Sequence, residues 1–262
     1  MNMKFNNKNI VVSPKAKVGE NVKIGDNTII YDNVEIGDNT IICNDCVIGE
    51  PLNSYYSSKN YRNPVTKIGK YSFIRSHSII YAGSSFGQKF TTGHRVTIRE
   101  NVEAGEHFSV GTLSDIQGYT RFGNYCRLHS NVHIGQESTI GNFVFIYPYV
   151  VFTNDPHPPS NYCKGPTIGD YTQIAVHSII MAMVEIGRNC LIGASSTVNR
   201  SFGDELVITG TPAQAIGSVR NIKSKEKEGI RHYPWMYNFE RGMPWENVGY
   251  DEWINKNKTN IL

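Results

Sequence analysis

Between Ile68 and Phe152 a non-polar residue returns at every sixth position: Ile68, Ile74, Ile80, Phe86, then Ile98, Ala104, Val110, Ile116, Phe122, Leu128, Ile134, Ile140, Ile146 and Phe152. Thr92 is the one polar interruption. Four places after each comes a second, usually smaller residue, as in Ser72, Ser78, Ser84, Val96, Val102, Ser114, Thr120 and Cys126. Helical packing repeats near 3.6 and ordinary strands near 2, so a sustained period of six fits neither. A six-residue unit with one aliphatic and one small inward residue can line one side of a triangular coil. Three such units make a turn, and stacked turns bury a continuous core. The same period runs earlier through Val12, Val18, Ile24, Ile30, Ile36, Ile42 and Ile48, and later through Ile168, Ile174, Ile180, Ile186, Ile192 and Val198. Together the three runs give about twenty-eight hexads, some nine coils, and a prism roughly 45 Å tall at strand spacing.

Two polar interruptions, at 50–67 and 153–167, have the length of loops extruded from a corner of the coil. Gly25-Asp26-Asn27 and Gly37-Asp38-Asn39 carry residues that tolerate tight turns and mark the corners. After Val198 the period fades, and Ser218 to Gly229 is charged enough to form a short helix over the open last coil. The tail from His232 to Trp253 is rich in aromatics, for which packing on a prism is the simplest role.

Units such as Ile134-Gly135-Gln136-Glu137-Ser138-Thr139 resemble those of the hexapeptide-repeat acyltransferase family, over roughly three quarters of the chain. That resemblance implies an all-β fold, a left-handed parallel β-helix over residues 1–217, followed by a helical and aromatic extension at 218–262. It also implies a homotrimer with sites between subunits, and acetyl-CoA or another acyl-CoA as co-substrate. The pantetheine arm would pass small residues, for which Ala175, Gly193 and Ala194 are suited, and Arg200 would meet phosphate.

A net charge of +3 argues against an electrostatic nucleic-acid binder. No span suffices to cross a bilayer and Met1 to Asn9 lacks a signal-like apolar run, so the expected compartment is the cytoplasm. Five cysteines do not suggest a disulfide framework; Cys46, Cys126 and Cys190 fall in the small inward slot, where a thiol packs as a small hydrophobe.

Residues eighteen apart lie one above another on adjacent coils. Asn154 therefore stacks over Gln136, Asp155 over Glu137 and His133 over Asp115, with His129 one corner back, so that polar groups gather beside the Thr153 loop. Sugar O-acetyltransferases of this fold commonly carry Thr-x-His-Pro at a similar place, whereas this chain has Thr153-Asn154-Asp155-Pro156. An aspartate there weakens the hydroxyl reading, because an attacking hydroxyl benefits from a base of near-neutral pKa. The chain resembles instead the branch that N-acylates amino sugars attached to nucleotides. By that resemblance Asp155 and Asn154 act on the amine, and His129 and Gln136 shape the sugar site. Turn chemistry alone also accounts for Asn154-Asp155-Pro156. His133, oriented by Asp115, is the alternative base. Other readings are a sugar or serine O-acetyltransferase, a γ-type carbonic anhydrase using zinc, and a non-catalytic scaffold. His94, His129 and His133 echo a zinc set only loosely, since the last pair is four apart, and no metal is expected.

Overall fold

The computed structural model describes residues 6, 8–225 and 228–257. Nearly every hexad contributes a two-residue strand, and successive strands fall on three sheets in rotation. The first sheet, opening with Val11–Val12, has 10 strands; the second, opening with Lys17–Val18, has 9; the third, opening with Lys23–Ile24, has 11. Neighbouring strands are parallel, and partners such as Asp115 and His133 stand 18 residues apart. The chain is a three-sided parallel β-solenoid, as the period of six demands.

The inward residues Ile74, Ile80, Ile98, Ile116 and Ile134 are all 0% exposed. Serines in the small slot bury hydroxyls that donate to corner carbonyls, Ser72 to Gly69 at 2.6 Å and Ser138 to Gly135 at 2.7 Å, which avoids the penalty of an unpaired polar group. Thr92 fits by the same device: its hydroxyl accepts from the Arg75 amide at 2.9 Å. Cys46, Cys126 and Cys190 are fully buried, and burial pushes the Cys126 thiol up to about 12. The small slot is not uniformly small, however. Phe90 and Phe108 occupy it, fully buried, and stack with Phe86 at 4.1 and 6.4 Å. Ala104, partly buried beside them, is the short side chain in an otherwise bulky column.

Most corners carry a residue in left-handed backbone conformation. At Asn27, Asn33 and Asn39 this is inexpensive. At Tyr125, Phe143 and Tyr171 it costs about 1–2 kcal/mol apiece. There the rings form a ladder, with centroids 5.2 and 4.9 Å apart, that continues down to His107 at 4.3 Å. The C-terminal tail completes this cluster: Trp235, Met236, Met243 and Trp245 are buried against it, and the Trp235 indole donates to the Tyr171 carbonyl at 2.9 Å.

The number of coils and the form of the last one differ from expectation. Leu206–Gly210 adds a rung above Leu191–Ile192, and Ala213–Ser218 folds back on it as an antiparallel strand. The period fades there because the coil is shortened: Phe202 pairs with Ile186 and Val207 with Leu191, each below the usual offset. The expected helix at 218–229 is absent among the described residues; they form a 3-10 turn at Val219–Asn221 and a bridge between Lys223 and Arg231. The only α-helix described is Tyr250–Asn257.

Both insertions leave the solenoid at one corner. Val47–Glu50 and Thr66–Ile68 flank the first, and Val151–Phe152 and Thr167–Ile168 flank the second; each time the chain passes from the first sheet to the second. One edge of the prism is therefore framed by a loop below and a loop above.

Candidate functional site

The parallel ladders dictate which side chains point outward, but not their identity. On the second face the outward column reads Lys17, Glu35, Lys67, Ser85, Glu103 and Arg121. It is laced with pairs of opposite charge, Lys17 to Glu35 at 2.7 Å and Arg121 to Glu103 at 3.6 Å, as suits a solvated surface. On the first face the column reads Ile29, Val47, Ile79, Thr97, Asp115, His133, Val151 and Ile179. A single titratable pair interrupts an otherwise apolar or neutral row.

In that pair His133 Nδ1 lies 3.0 Å from Asp115 Oδ2. A carboxylate only accepts, so Nδ1–H donates to it and the neutral ring carries its lone pair on Nε2, which has no partner among the described residues. Both side chains remain about 40% accessible, at 43% and 39%. Gln117 donates to the same Asp115 oxygen at 2.7 Å. Burial alone would raise the Asp115 carboxyl, but the hydrogen bonds from His133 and Gln117 and the nearby Arg99 charge outweigh it and hold the group below the ordinary carboxylate range. Arg99 is itself fixed, donating to Glu100 at 2.9 Å and lying over the Tyr81 ring at 4.9 Å. Sequence spacing located His133 and Asp115 but not Gln117, Arg99 and Tyr81. Their common place, one step after the inward isoleucines Ile80, Ile98 and Ile116, is the signal that would have found them.

Asn154 and Asp155 stand where the second loop leaves the corner. The Asp155 carboxylate accepts from the His157 amide at 2.9 Å, the Ser160 amide at 2.9 Å and the Ser160 hydroxyl at 2.7 Å. The Ser160 hydroxyl is the main cause of its lowered pKa, with the backbone donors adding to it. Asn154 Nδ2 donates to Cys163 Sγ at 3.1 Å, and the Asn154 carbonyl accepts from the Lys164 amide at 2.8 Å. In this conformation both side chains serve the loop's own closure. The loop then returns over the Gln136 corner at Gly165, where an added Cβ would lie 2.3 Å from the Ser138 hydroxyl and 2.7 Å from the Gln136 carbonyl. Asn154, Asp155 and Gln136 are thus brought together. His129 is not: it follows the third-sheet strand Arg127–Leu128, at the far end of the first face, and its ring stacks on Tyr147 at 4.8 Å. The gathering of polar groups expected on one edge is therefore split between two corners, because the six residues from one corner to the next span a whole side of the triangle.

The residues expected along the donor's path divide in the same way. Ala175 and Gly193 stack at the corner between the third and first sheets, with Ala194 exposed beside them. Such a rim fits a pantetheine arm in offering little side chain. Gly193 has a structural cause as well, since a Cβ there would meet the Thr209 hydroxyl at 2.5 Å. Arg200 lies at the other end of the first face, donates to Gln214 and stacks on Phe202 at 5.1 Å. Among the described residues no group of three His, Cys, Asp or Glu could hold a metal ion, and no helix is long and apolar enough to cross a membrane.

Comparison with known proteins agrees with this architecture. Residues 15–50 match the family model "Bacterial transferase hexapeptide (six repeats)", and residues 183–209 match "Hexapeptide repeat of succinyl-transferase". Two stretches of the chain thus match models of hexapeptide-repeat transferases, one near each end of the solenoid. It is 28% identical over 173 residues to the bifunctional protein GlmU of Acaryochloris marina, covering 53% of this chain and 38% of that protein. It is 30% identical over 125 residues to the galactoside O-acetyltransferase of Escherichia coli, covering 39% of this chain and 60% of that one. The chain thus spans less than two thirds of either relative. In structure it resembles a UDP-N-acetylglucosamine acyltransferase of Arabidopsis, with a TM-score of 0.53 at 13% identity, covering 98% of this chain and 90% of that one. The enzyme named LpxA from Bacteroides fragilis gives 0.53 at 16% identity, covering 97% and 90%. At such identities the likeness is one of fold.

Proposed function

We propose that this protein transfers an acyl group, acetyl in the first instance, from a coenzyme A thioester to a nucleotide-linked sugar, with His133 as general base. The observation that carries the reading is the His133–Asp115 pair, the one titratable couple in the outward column of the first face. Asp115 keeps the imidazole in one tautomer, and Nε2 takes the acceptor's proton as its nucleophile adds to the thioester carbonyl. When the tetrahedral intermediate collapses, the carbon–sulfur bond breaks and the proton passes to the departing thiolate.

The acceptor expected from Asn154-Asp155 is the amino group of a nucleotide-linked amino sugar. A second reading, a sugar hydroxyl, is favoured by one observation: the Asp155 carboxylate is engaged by its own loop, whereas an oriented imidazole is the base that a hydroxyl requires. Similarity to a galactoside O-acetyltransferase lends it further support. In either case the apolar remainder of the first face, including Ile29, Val47, Ile79 and Ile179, suits contact with a second copy of the chain, which makes a homotrimer the assembly to expect.

The test is thiol release from acetyl-CoA, measured against nucleotide-linked amino sugars and their hydroxyl counterparts. One class is expected to sustain turnover and the other to be a poor acceptor. Absence of thiol release with both classes would refute the reading, and a trimer mass by light scattering is the outcome expected for the assembly.

A further inference from the structure

We propose that the third face carries a binding site for the phosphate groups of a nucleotide, in the cavity where Arg127, His129 and Tyr147 meet Phe239 and Arg241 of the tail. The cavity measures about 310 Å³ and is walled on one side by the solenoid and on the other by the tail, so it exists only because the tail folds back. Its lining contains two arginines and a histidine, but no carboxylate. Four of the other arginines are neutralised: Arg99 pairs with Glu100, Arg121 with Glu103, Arg188 with Asp170 and Arg220 with Glu205. Neither Arg127 nor Arg241 has a carboxylate partner among the described residues.

Arg127 is already aimed. One guanidinium nitrogen, Nη2, donates to the carbonyls of Arg241 and Gly242, each at 3.0 Å, and the plane lies over Phe145 at 5.2 Å and Phe239 at 5.7 Å. That leaves Nη1 without a protein acceptor among the described residues, on a group whose rotation is blocked by aromatic walls. Glu246, whose charge reaches Arg127, is occupied by the Gly242 amide at 2.9 Å. The electrostatics agree. Burial and the charge of Arg241 push the Arg127 pKa down, with Glu246 opposing them, and burial and the charge of Arg127 push that of His129 down. A phosphate would relieve both, and guanidinium groups suit its geometry. The stacked His129 and Tyr147 rings, with Phe239 near, give an aromatic surface on which an adjoining base can lie. The cavity under the first loop, which holds Lys15 and Arg62, differs in containing a carboxylate, Asp32, which pairs with Lys15 at 2.7 Å.

Two ligands share this chemistry: the nucleotide of the acceptor, and the phosphorylated adenosine of coenzyme A. Calorimetric titration of the full chain with UDP, dTDP, coenzyme A and dephospho-coenzyme A separates them, and because no turnover is needed the outcome is independent of the acyl-transfer reading. At least one phosphate-bearing probe is expected to bind, more weakly as salt is raised. Arg241→Ala, which removes an exposed side chain but keeps the carbonyl that holds Arg127, is expected to weaken that binding roughly ten- to hundredfold. Arg241→Lys should recover part of the loss. His129→Phe, which keeps a ring for Tyr147, should weaken binding less. Saturation by UDP or dTDP alone assigns the cavity to the acceptor, and a preference for coenzyme A over its dephospho form assigns it to the donor. Absence of binding by all four probes, or an affinity unchanged in Arg241→Ala, would overturn the proposal.

Discussion

The first and second faces of the prism share short strands, parallel register and a non-polar inward column, and differ most in what points outward. The second face carries lysine, glutamate and arginine among serine and threonine, while the first is apolar or neutral apart from Asp115 and His133. Since the solenoid is held by its inward column, the outward columns are free to record what each face meets. Alternating charge is what water permits at little cost. A hydrogen-bonded His–carboxylate pair set in an apolar row serves neither solubility nor the core, and chemistry is the simplest reason for it.

The comparison can be broken most decisively by a double-mutant cycle on the first face. His133→Ala is expected to lower turnover by about 10²- to 10⁴-fold, the usual range for a general base. Asp115→Asn alone should lower it less, and the pair together should cost little more than His133→Ala, because the two act as a unit. Additive losses would mean that Asp115 does not act through His133. Next in size is a change to the shared interior. Ile116→Ala, fully buried between the faces, should cost about 2–5 kcal/mol of stability by denaturant melts, whatever its effect on catalysis. Asp155→Ala should lower turnover while leaving acyl-CoA affinity nearly unchanged; an unaltered turnover would reduce Asp155 to a fastener of its loop. The smallest effect belongs to the second face. Arg121→Ala removes an exposed pair, 71% and 63% accessible, and should shift stability by no more than about 1 kcal/mol and turnover not at all.

How far the sequence could be read follows from the same geometry. A period of six propagates through backbone hydrogen bonds, so Asp115 beneath His133 was legible from spacing, as were the thiols of Cys46, Cys126 and Cys190 inside. Spacing identifies residues that stack, but not the side of the triangle on which they stack relative to others. His129 and Gln136 therefore looked like neighbours, though a full face lies between them. Nor does spacing reveal what a loop does with its own side chains, and the engagement of Asp155 by Ser160 depends on the fold of residues 155–160. The tail was harder still. Its aromatics suggested packing, but the cavity that they close over Arg127 arises from contacts more than a hundred residues apart.

The most direct test compares like with like on the two faces: turnover by His133→Gln against turnover by Arg121→Gln, with the acceptor that the unaltered protein uses best. A loss of at least about a hundredfold for the first and none for the second is the predicted result. Equal turnover by the two variants would contradict the assignment of chemistry to the first face.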